Sequence, residues 1–575
     1  MTIHARWNVD IPECSLQKWL FGGSTGPLSD KPIFIDPERP DTHHLSLQGY
    51  RQWAKRLALG LQKAGLKPGD RVLLFSGNNL FFPVVFMGVS YSTGDLLSVC
   101  FRGTKQNIGV FTGANPSFVA RELAYQLKDS GASFLIAADA SIPIALEAAQ
   151  EAGLPKSRCF SFDDTALDAS PGKTQQGARH WTELLASQAD AEKFDWVEPA
   201  DPKNTTCCLN YSSGTTGVPK GVEITHRSYI ANGVGVIYMS KLQDNFEENV
   251  KKWRSLCFLP MYHAYGQTYF AVNYPKLGVP AYMMPKFDFV KVLENVQKYR
   301  ITSLTCVPPI VVALAKHPLV RKYDLSSLES IGSGAAPLSG RLPKRCPNCG
   351  QLEPWRFARA GITCTALSWD PRITHPSLAV GELLPNCSAR LVKLDGSGEI
   401  TKAGETGELW VTGPTLLKSY WNKPEATADT LHVDADGTRW LKTGDIAYVE
   451  KYEPGGLWHV VDRLKELIKV KGNQVAPAEL EGVLLESKAV SDAAVVGVTI
   501  DGEEVPRAYI VPNPEIKATE QEIAQWMEGR VVRYKRLAGG VVFVDEVPKN
   551  PSGKILRKLL RDRAKAEVGD KQAKL

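Results

Sequence analysis

The run Tyr211-Ser-Ser-Gly-Thr-Thr-Gly-Val-Pro-Lys-Gly221 gathers the hydroxyls of Ser212, Ser213, Thr215 and Thr216, two glycines and Lys220 into one short stretch. Gly214 and Gly217 let the backbone turn tightly enough to aim N–H groups at a single anion. The hydroxyls add donors and Lys220 adds charge, so the composition is that of a phosphate cradle. It departs from the G-x-x-x-x-G-K-[ST] pattern, because Gly221 follows the lysine. A solvent-facing Ser/Gly/Thr loop has the same composition. The apolar-leaning flanks, Cys207-Cys-Leu-Asn-Tyr211 and Val222-Glu-Ile-Thr-His226, place the run between two buried segments.

Other candidate runs follow along the chain: Leu259-Pro-Met-Tyr-His-Ala-Tyr-Gly266, Gly332-Ser-Gly-Ala-Ala-Pro337 and Thr443-Gly-Asp445, then Asp462-Arg-Leu-Lys-Glu-Leu-Ile-Lys-Val-Lys-Gly472 and Lys549-Asn-Pro-Ser-Gly-Lys554. Each has a plain alternative. Tyr262 to Tyr265 suits a packed aromatic cluster, Thr-Gly-Asp is a common turn, and Lys465 with Lys469 suits a solvated face. Their order and combination, with Ala114-Asn-Pro as a further structural landmark, resemble the adenylate-forming acyl-CoA synthetases. The branch most similar is the 4-coumarate/aryl-CoA ligases and their fungal relatives. The resemblance runs from about residue 45 to about residue 565.

What the resemblance implies is specific. Ser212, Ser213, Gly214, Thr215, Thr216, Gly217 and Lys220 would hold ATP phosphates, and Gly334, Ala335 and Ala336 would lie against adenine. Asp445 would grip the ribose hydroxyls, and Arg463 the ribose and phosphate. Lys554 would be the mobile lysine of adenylation, Lys465 the hinge between domains, and Lys471 with Gly472 the path of the CoA thiol arm. His263, Tyr265, Tyr269, Val307 and Ser333 would shape the acid pocket, with His263 counted as catalytic beside Lys554. The partner is a small-molecule carboxylic acid, and the cofactors are ATP, Mg²⁺ and CoA. A carboxylate is already a nucleophile, so the chemistry needs charge stabilisation and positioning and no Ser–His or Cys–His pair.

The family pattern breaks in two places. Ser92 to Asn107 stands where the family has a short turn. By alignment the family's phosphate-binding threonine falls on Ala360 and its Mg²⁺-ligating glutamate on Gly361. Two alternatives therefore stay open: a catalytically impaired nucleotide- or acyl-binding homologue, and an adenylation enzyme that loads a carrier protein. Cys346 and Cys349 have the spacing of half a zinc site, but no second Cys/His pair lies nearby, and no metal site is assigned.

Elements that position such residues are legible in outline. Apolar residues recur at helical spacing over Gly49–Gln62 and Val119–Ser130, alternating with apolar runs near Arg71–Phe75 and Ser133–Ala137. This rhythm predicts an α/β fold: a large N-terminal domain of layered α/β subdomains over 1–461. After Asp462, short apolar runs at Ala493–Val498 and Gly540–Val544 predict a small α+β domain over 462–575, which the resemblance makes mobile.

A chain of 575 residues exceeds one core. A formal charge of +6 with no dense basic tract argues against nucleic acid. Eleven scattered cysteines suit a reducing compartment, and no apolar stretch is long enough for a membrane span. The N-terminus lacks a signal-peptide core. Ala573-Lys574-Leu575 resembles the Ser-Lys-Leu address, predicting a peroxisomal import receptor as partner and the peroxisome, with cytoplasm as the alternative, as location.

Overall fold

The computed structural model describes residues 1–91, 109–168, 176–212, 219–334, 366–373, 379–470, 473–500, 502–550 and 553–572. Packing divides the chain into two units, Asn8–Leu304 with Gly413–Leu431, and Met1–Trp7 with Thr305–Thr412 and His432–Leu575.

The first unit is built on a sheet whose spatial order is Lys220–Thr225, Thr206–Ser212, Val110–Ala114, Arg71–Phe75, Ala132–Ala138, Cys159–Phe162 and Arg179–His180. All pairings are parallel except the hairpin of the first two strands. A parallel strand is covered on both faces, which is why Val72, Leu73, Leu74 and Phe75 form one unbroken, fully buried apolar run. The helix Ala120–Ser130 buries Leu123, Ala124 and Leu127 against Leu73, Phe75 and Leu135. Each leucine so buried contributes about 1.5–3 kcal/mol. The helix stops at Gly131, whose φ of +62° is a left-handed cap that glycine adopts without strain. A second sheet in this unit sets Ser255–Cys257, Ala281–Met283 and Pro32–Ile35 in parallel, with His44–Ser46 antiparallel at its edge.

In the second unit, Ser388–Val392, Gly407–Thr412, Arg439–Val449 and Trp458–Arg463 form successive antiparallel pairs. The segment Ile3–His4 joins this sheet beside Ser388 and Ala389. The C-terminal part carries a long hairpin, Val490–Ile500 against Glu503–Pro512, with Val541–Phe543 parallel to it. Ala493 and Val495 enter one core with Leu480, Leu484 and Ile523. Ala494, Val496 and Val498 enter another with Leu560 and Ala564. Helices on both faces explain why Ala493–Val498 reads as continuously apolar, although its side chains alternate.

The predicted helices appear as Leu47–Lys63 and Ala120–Ser130, and the predicted strands as Arg71–Phe75, Ala132–Ala138, Val490–Ile500 and Val541–Phe543. The predicted short strand at 493–498 is longer, because the cross-strand ladder carries it through the polar residues Ser491, Asp492 and Thr499.

Candidate active site

In the first unit the hydroxyl-rich turn is closed by the hairpin Thr206–Ser212 and Lys220–Thr225, where Ser212 and Lys220 are direct cross-strand partners. Lys220 Nζ lies 5.5 Å from the Tyr420 ring centroid. Ser213, Gly214, Thr215, Thr216 and Gly217 lie outside the described residues. Backbone bonds reinforce the outgoing strand: Trp421 N–H donates to the Gly221 carbonyl at 2.8 Å, and Glu223 N–H to the Ser419 carbonyl at 2.9 Å. The short stem therefore belongs to a rigid edge.

The acid-pocket residues of this unit also gather. His263 caps the turn Ala264–Gly266, its Nδ1 accepting from Tyr265 N–H at 3.3 Å. That acceptor role puts the ring proton of neutral His263 on Nε2. Tyr265 and Tyr269 meet edge to face with centroids 5.4 Å apart, and Tyr269 meets Tyr274 at 5.8 Å. Burial raises the Tyr269 phenol well above its ordinary range. The three rings form one aromatic cluster, apolar in body with phenolic tips. Behind it, Gln267, Asn210 and Tyr229 form a buried network, with Asn210 Nδ2 3.1 Å from the Tyr229 hydroxyl.

In the second unit, Asp445 and Arg463 are cross-strand partners, and Arg463 Nε lies 2.6 Å from Asp445 Oδ1. Asp445 is buried and Arg463 half-buried. Lys554 lies within electrostatic reach of the same pair. Burial, and then the Arg463 guanidinium, lower its pKa below the usual lysine value, while Glu466 and Asp445 oppose that shift. The backbone that presents Lys554 is a tight turn. Asn550 Oδ1 accepts Lys554 N–H at 2.9 Å, Asn550 N–H donates to the Lys554 carbonyl at 2.9 Å, and Gly553 sits at φ +76°. A Cβ on Gly553 would lie 2.8 Å from Val307 Cγ2, so glycine alone fits between the turn and Val307.

Beneath the turn is a buried cluster that no local motif announces. Arg557 binds both oxygens of Glu481 at 2.7 Å, and Asp462 Oδ2 accepts Ala478 N–H at 2.9 Å at the head of the helix Pro477–Glu486. Burial raises the Asp462 carboxyl, opposed by Arg557. These residues fix the helix that follows Lys554.

The strand Ser330–Ser333 ends at Gly334, whose N–H donates to the Cys306 carbonyl at 3.1 Å. Ser333 Oγ is buried with no hydrogen-bond partner among the described residues, as suits a hydroxyl that a ligand would satisfy. Val307 is buried at the head of the helix Pro308–Lys316. Lys465 is exposed in a single helical turn, Leu464–Glu466, between the strands Trp458–Arg463 and Ile468–Val470. Ala335, Ala336, Lys471 and Gly472 lie outside the described residues, as do Ala360 and Gly361.

The grouping of the buried carboxylate of Asp445 with Arg463 and the half-buried Lys554 on one unit coincides with independent family matches. The family profile of the AMP-binding enzymes matches residues 25–421, and that of their C-terminal domain matches residues 479–554. The chain belongs to the AMP-binding enzyme family. It is 33% identical to the phenylacetyl-CoA ligase epaB of Aspergillus niger, over 98% of this chain and 99% of the relative. It is 35% identical to a 4-coumarate–CoA ligase of Petroselinum crispum, over 90% of this chain and 88% of the relative. Among solved structures, the anthranilate CoA ligase AuaEII in complex with anthranoyl-AMP aligns with a TM-score of 0.78 at 20% identity, covering 98% of this chain and 99% of that one. ATP-bound MatB from Rhodopseudomonas palustris aligns with a TM-score of 0.74 at 24% identity, covering 96% and 99%. The last two establish the fold of a large N-terminal and a small C-terminal domain.

Proposed function

We infer that this chain is an ATP-dependent acyl-CoA ligase that activates a carboxylic acid as its acyl-adenylate and transfers the acyl group to CoA. The observation that carries the reading is the cross-strand pair of Asp445 and Arg463, 2.6 Å apart, in a chain that the AMP-binding family profile matches over residues 25–421. One acid oxygen attacks the α-phosphorus, an O–P bond forms, and pyrophosphate leaves with the electron pair of the broken P–O bond. Lys554 supplies positive charge where negative charge builds on the acid and α-phosphate. Asp445 and Arg463 orient the nucleoside end. The CoA thiolate then attacks the acyl carbon and AMP departs.

Mg²⁺ would neutralise the triphosphate. Among the described residues no three His, Cys, Asp or Glu side chains form a metal-binding group, and Gly361 has no carboxylate to offer. Mg²⁺ would enter with the ATP that carries it.

The acid is aryl or medium-chain acyl. The edge-to-face pair Tyr265 and Tyr269 supports this, as do relatives named for phenylacetyl and coumarate substrates. Acid-dependent exchange of pyrophosphate into ATP, tested across aryl and aliphatic acids with thioester detection, checks the reading. Nucleotide binding without exchange would favour the impaired homologue. Exchange without any thioester on adding CoA would favour carrier loading.

The location we propose is the peroxisome, with Ala573-Lys574-Leu575 read by an import receptor. A fluorescent protein carrying the last ten residues is expected to collect in peroxisomes, and deletion of the tripeptide to leave it cytosolic. Diffuse fluorescence with the intact tail would end the idea.

A further inference from the structure

Asp129 lies in the last turn of the helix Ala120–Ser130, where a solvated side chain is the ordinary expectation, yet its side chain is only 6% exposed. Segments far apart in sequence converge on it. The Tyr211 hydroxyl donates to Asp129 Oδ2 at 2.8 Å, and Lys423 Nζ lies 2.7 Å from Oδ1. The Tyr125 hydroxyl lies 3.3 Å from Oδ1 and donates to the Pro219 carbonyl at 2.9 Å. Tyr211 and Pro219 stand on the two stems of the hydroxyl-rich turn. Burial, reinforced by Asp129, raises the Tyr211 phenol far above its ordinary range, so it remains a donor at every physiological pH.

The stems are clamped in a second way. The Tyr211 ring covers Gly221, where a Cβ would lie 3.2 Å from the ring carbons. The hairpin ladder fixes strand register, and the side chains at its root add contacts that the ladder does not supply. A half-satisfied buried carboxylate is costly; Asp129 accepts directly from the Tyr211 stem, while the Pro219 stem is held through the neighbouring Tyr125 hydroxyl.

We infer that Asp129, with Tyr211, Tyr125 and Lys423, is a positioning cluster that holds both stems of the turn and thereby sets affinity for the β- and γ-phosphates of ATP. The inference rests on the ligase reading, in which that turn is the phosphate cradle. Adenosine monophosphate lacks the phosphates the turn would hold, and this gives a readout that a merely structural role would not move.

Calorimetric titration of the full chain with ATP and with AMP tests it. Tyr211→Phe and Asp129→Asn are expected to weaken ATP binding about ten-fold while AMP binding stays within about two-fold, the scale of losing one hydrogen bond to a charged group. Tyr211→Phe removes a single oxygen and keeps the ring over Gly221, so it remains informative where Asp129→Asn fails to fold. Equal weakening of ATP and AMP, or unchanged ATP binding, in a chain whose wild type binds ATP would overturn the role of the cluster alone. A wild type that binds neither nucleotide would overturn the ligase reading and this inference together.

Discussion

Lys554 owes its chemistry to the turn that presents it. Asn550 and Gly553 build that turn, and burial beside Arg463 lowers the ammonium pKa below the usual lysine value. Lys554→Ala should reduce pyrophosphate exchange by about 10²–10³, the cost of one charge-stabilising donor. Thiol transfer from supplied acyl-adenylate should be largely kept, and normal exchange in the variant would refute the assignment. The pH sign follows from the shift. Lysine acts in its charged form, so a lowered pKa brings the alkaline fall of exchange to a lower pH than an ordinary lysine would. Lys554→Arg, charged at all accessible pH, should lose that limb. Lys554, Asp445 and Arg463 were singled out by the order and combination of several short runs, since Thr-Gly-Asp alone is a common turn. Asp129 was not, since a carboxylate near a helix end looks solvated until Tyr211 and Lys423 arrive from elsewhere in the chain.

Elements decide how long such residues stay in register. The helix Pro308–Lys316 ends in Lys316, whose Nζ lies 2.6 Å from the Leu485 carbonyl and 3.3 Å from that of Val490. Leu485 is in the last turn of the helix Pro477–Glu486, so a cation there offsets orphan carbonyls and the helix dipole. Both contacts lie on the unit that carries Lys554. Lys316→Ala should lower pyrophosphate exchange about two- to five-fold, in keeping with one dipole contact, with thiol transfer unchanged or faster. An equal loss in both half-reactions would mean that the contact only stabilises the fold. Short apolar runs made the strands readable, and helical spacing of apolar residues the helices. Lys316 carried no signal, because its partners are backbone carbonyls that any sequence could present.

At the scale of the whole molecule, some joins have no local trace. Ile3–His4 pairs with Ser388 and Ala389, and Arg6 reaches Asp370 at 2.9 Å and Glu382 at 2.7 Å. Nothing in residues 1–7 announces partners so distant, whereas the rhythm of strand and helix announced the layered fold. The pair Asp445 and Arg463 sits on one unit and the hairpin of the hydroxyl-rich turn on the other. By alignment, Ala360 and Gly361 stand where the family has a threonine and a glutamate. Alanine donates no hydroxyl proton to the α-phosphate, and glycine offers Mg²⁺ no carboxylate. The chain should therefore bind ATP better than it turns it over. Replacing residues 356–361 by Gly-Trp-Gly-Met-Thr-Glu should raise acyl-CoA formation by about 10²-fold or more, since one oxyanion-type contact alone is worth that much. ATP affinity should change far less. Thioester formation by the unaltered chain at the rate of the altered one would refute the prediction.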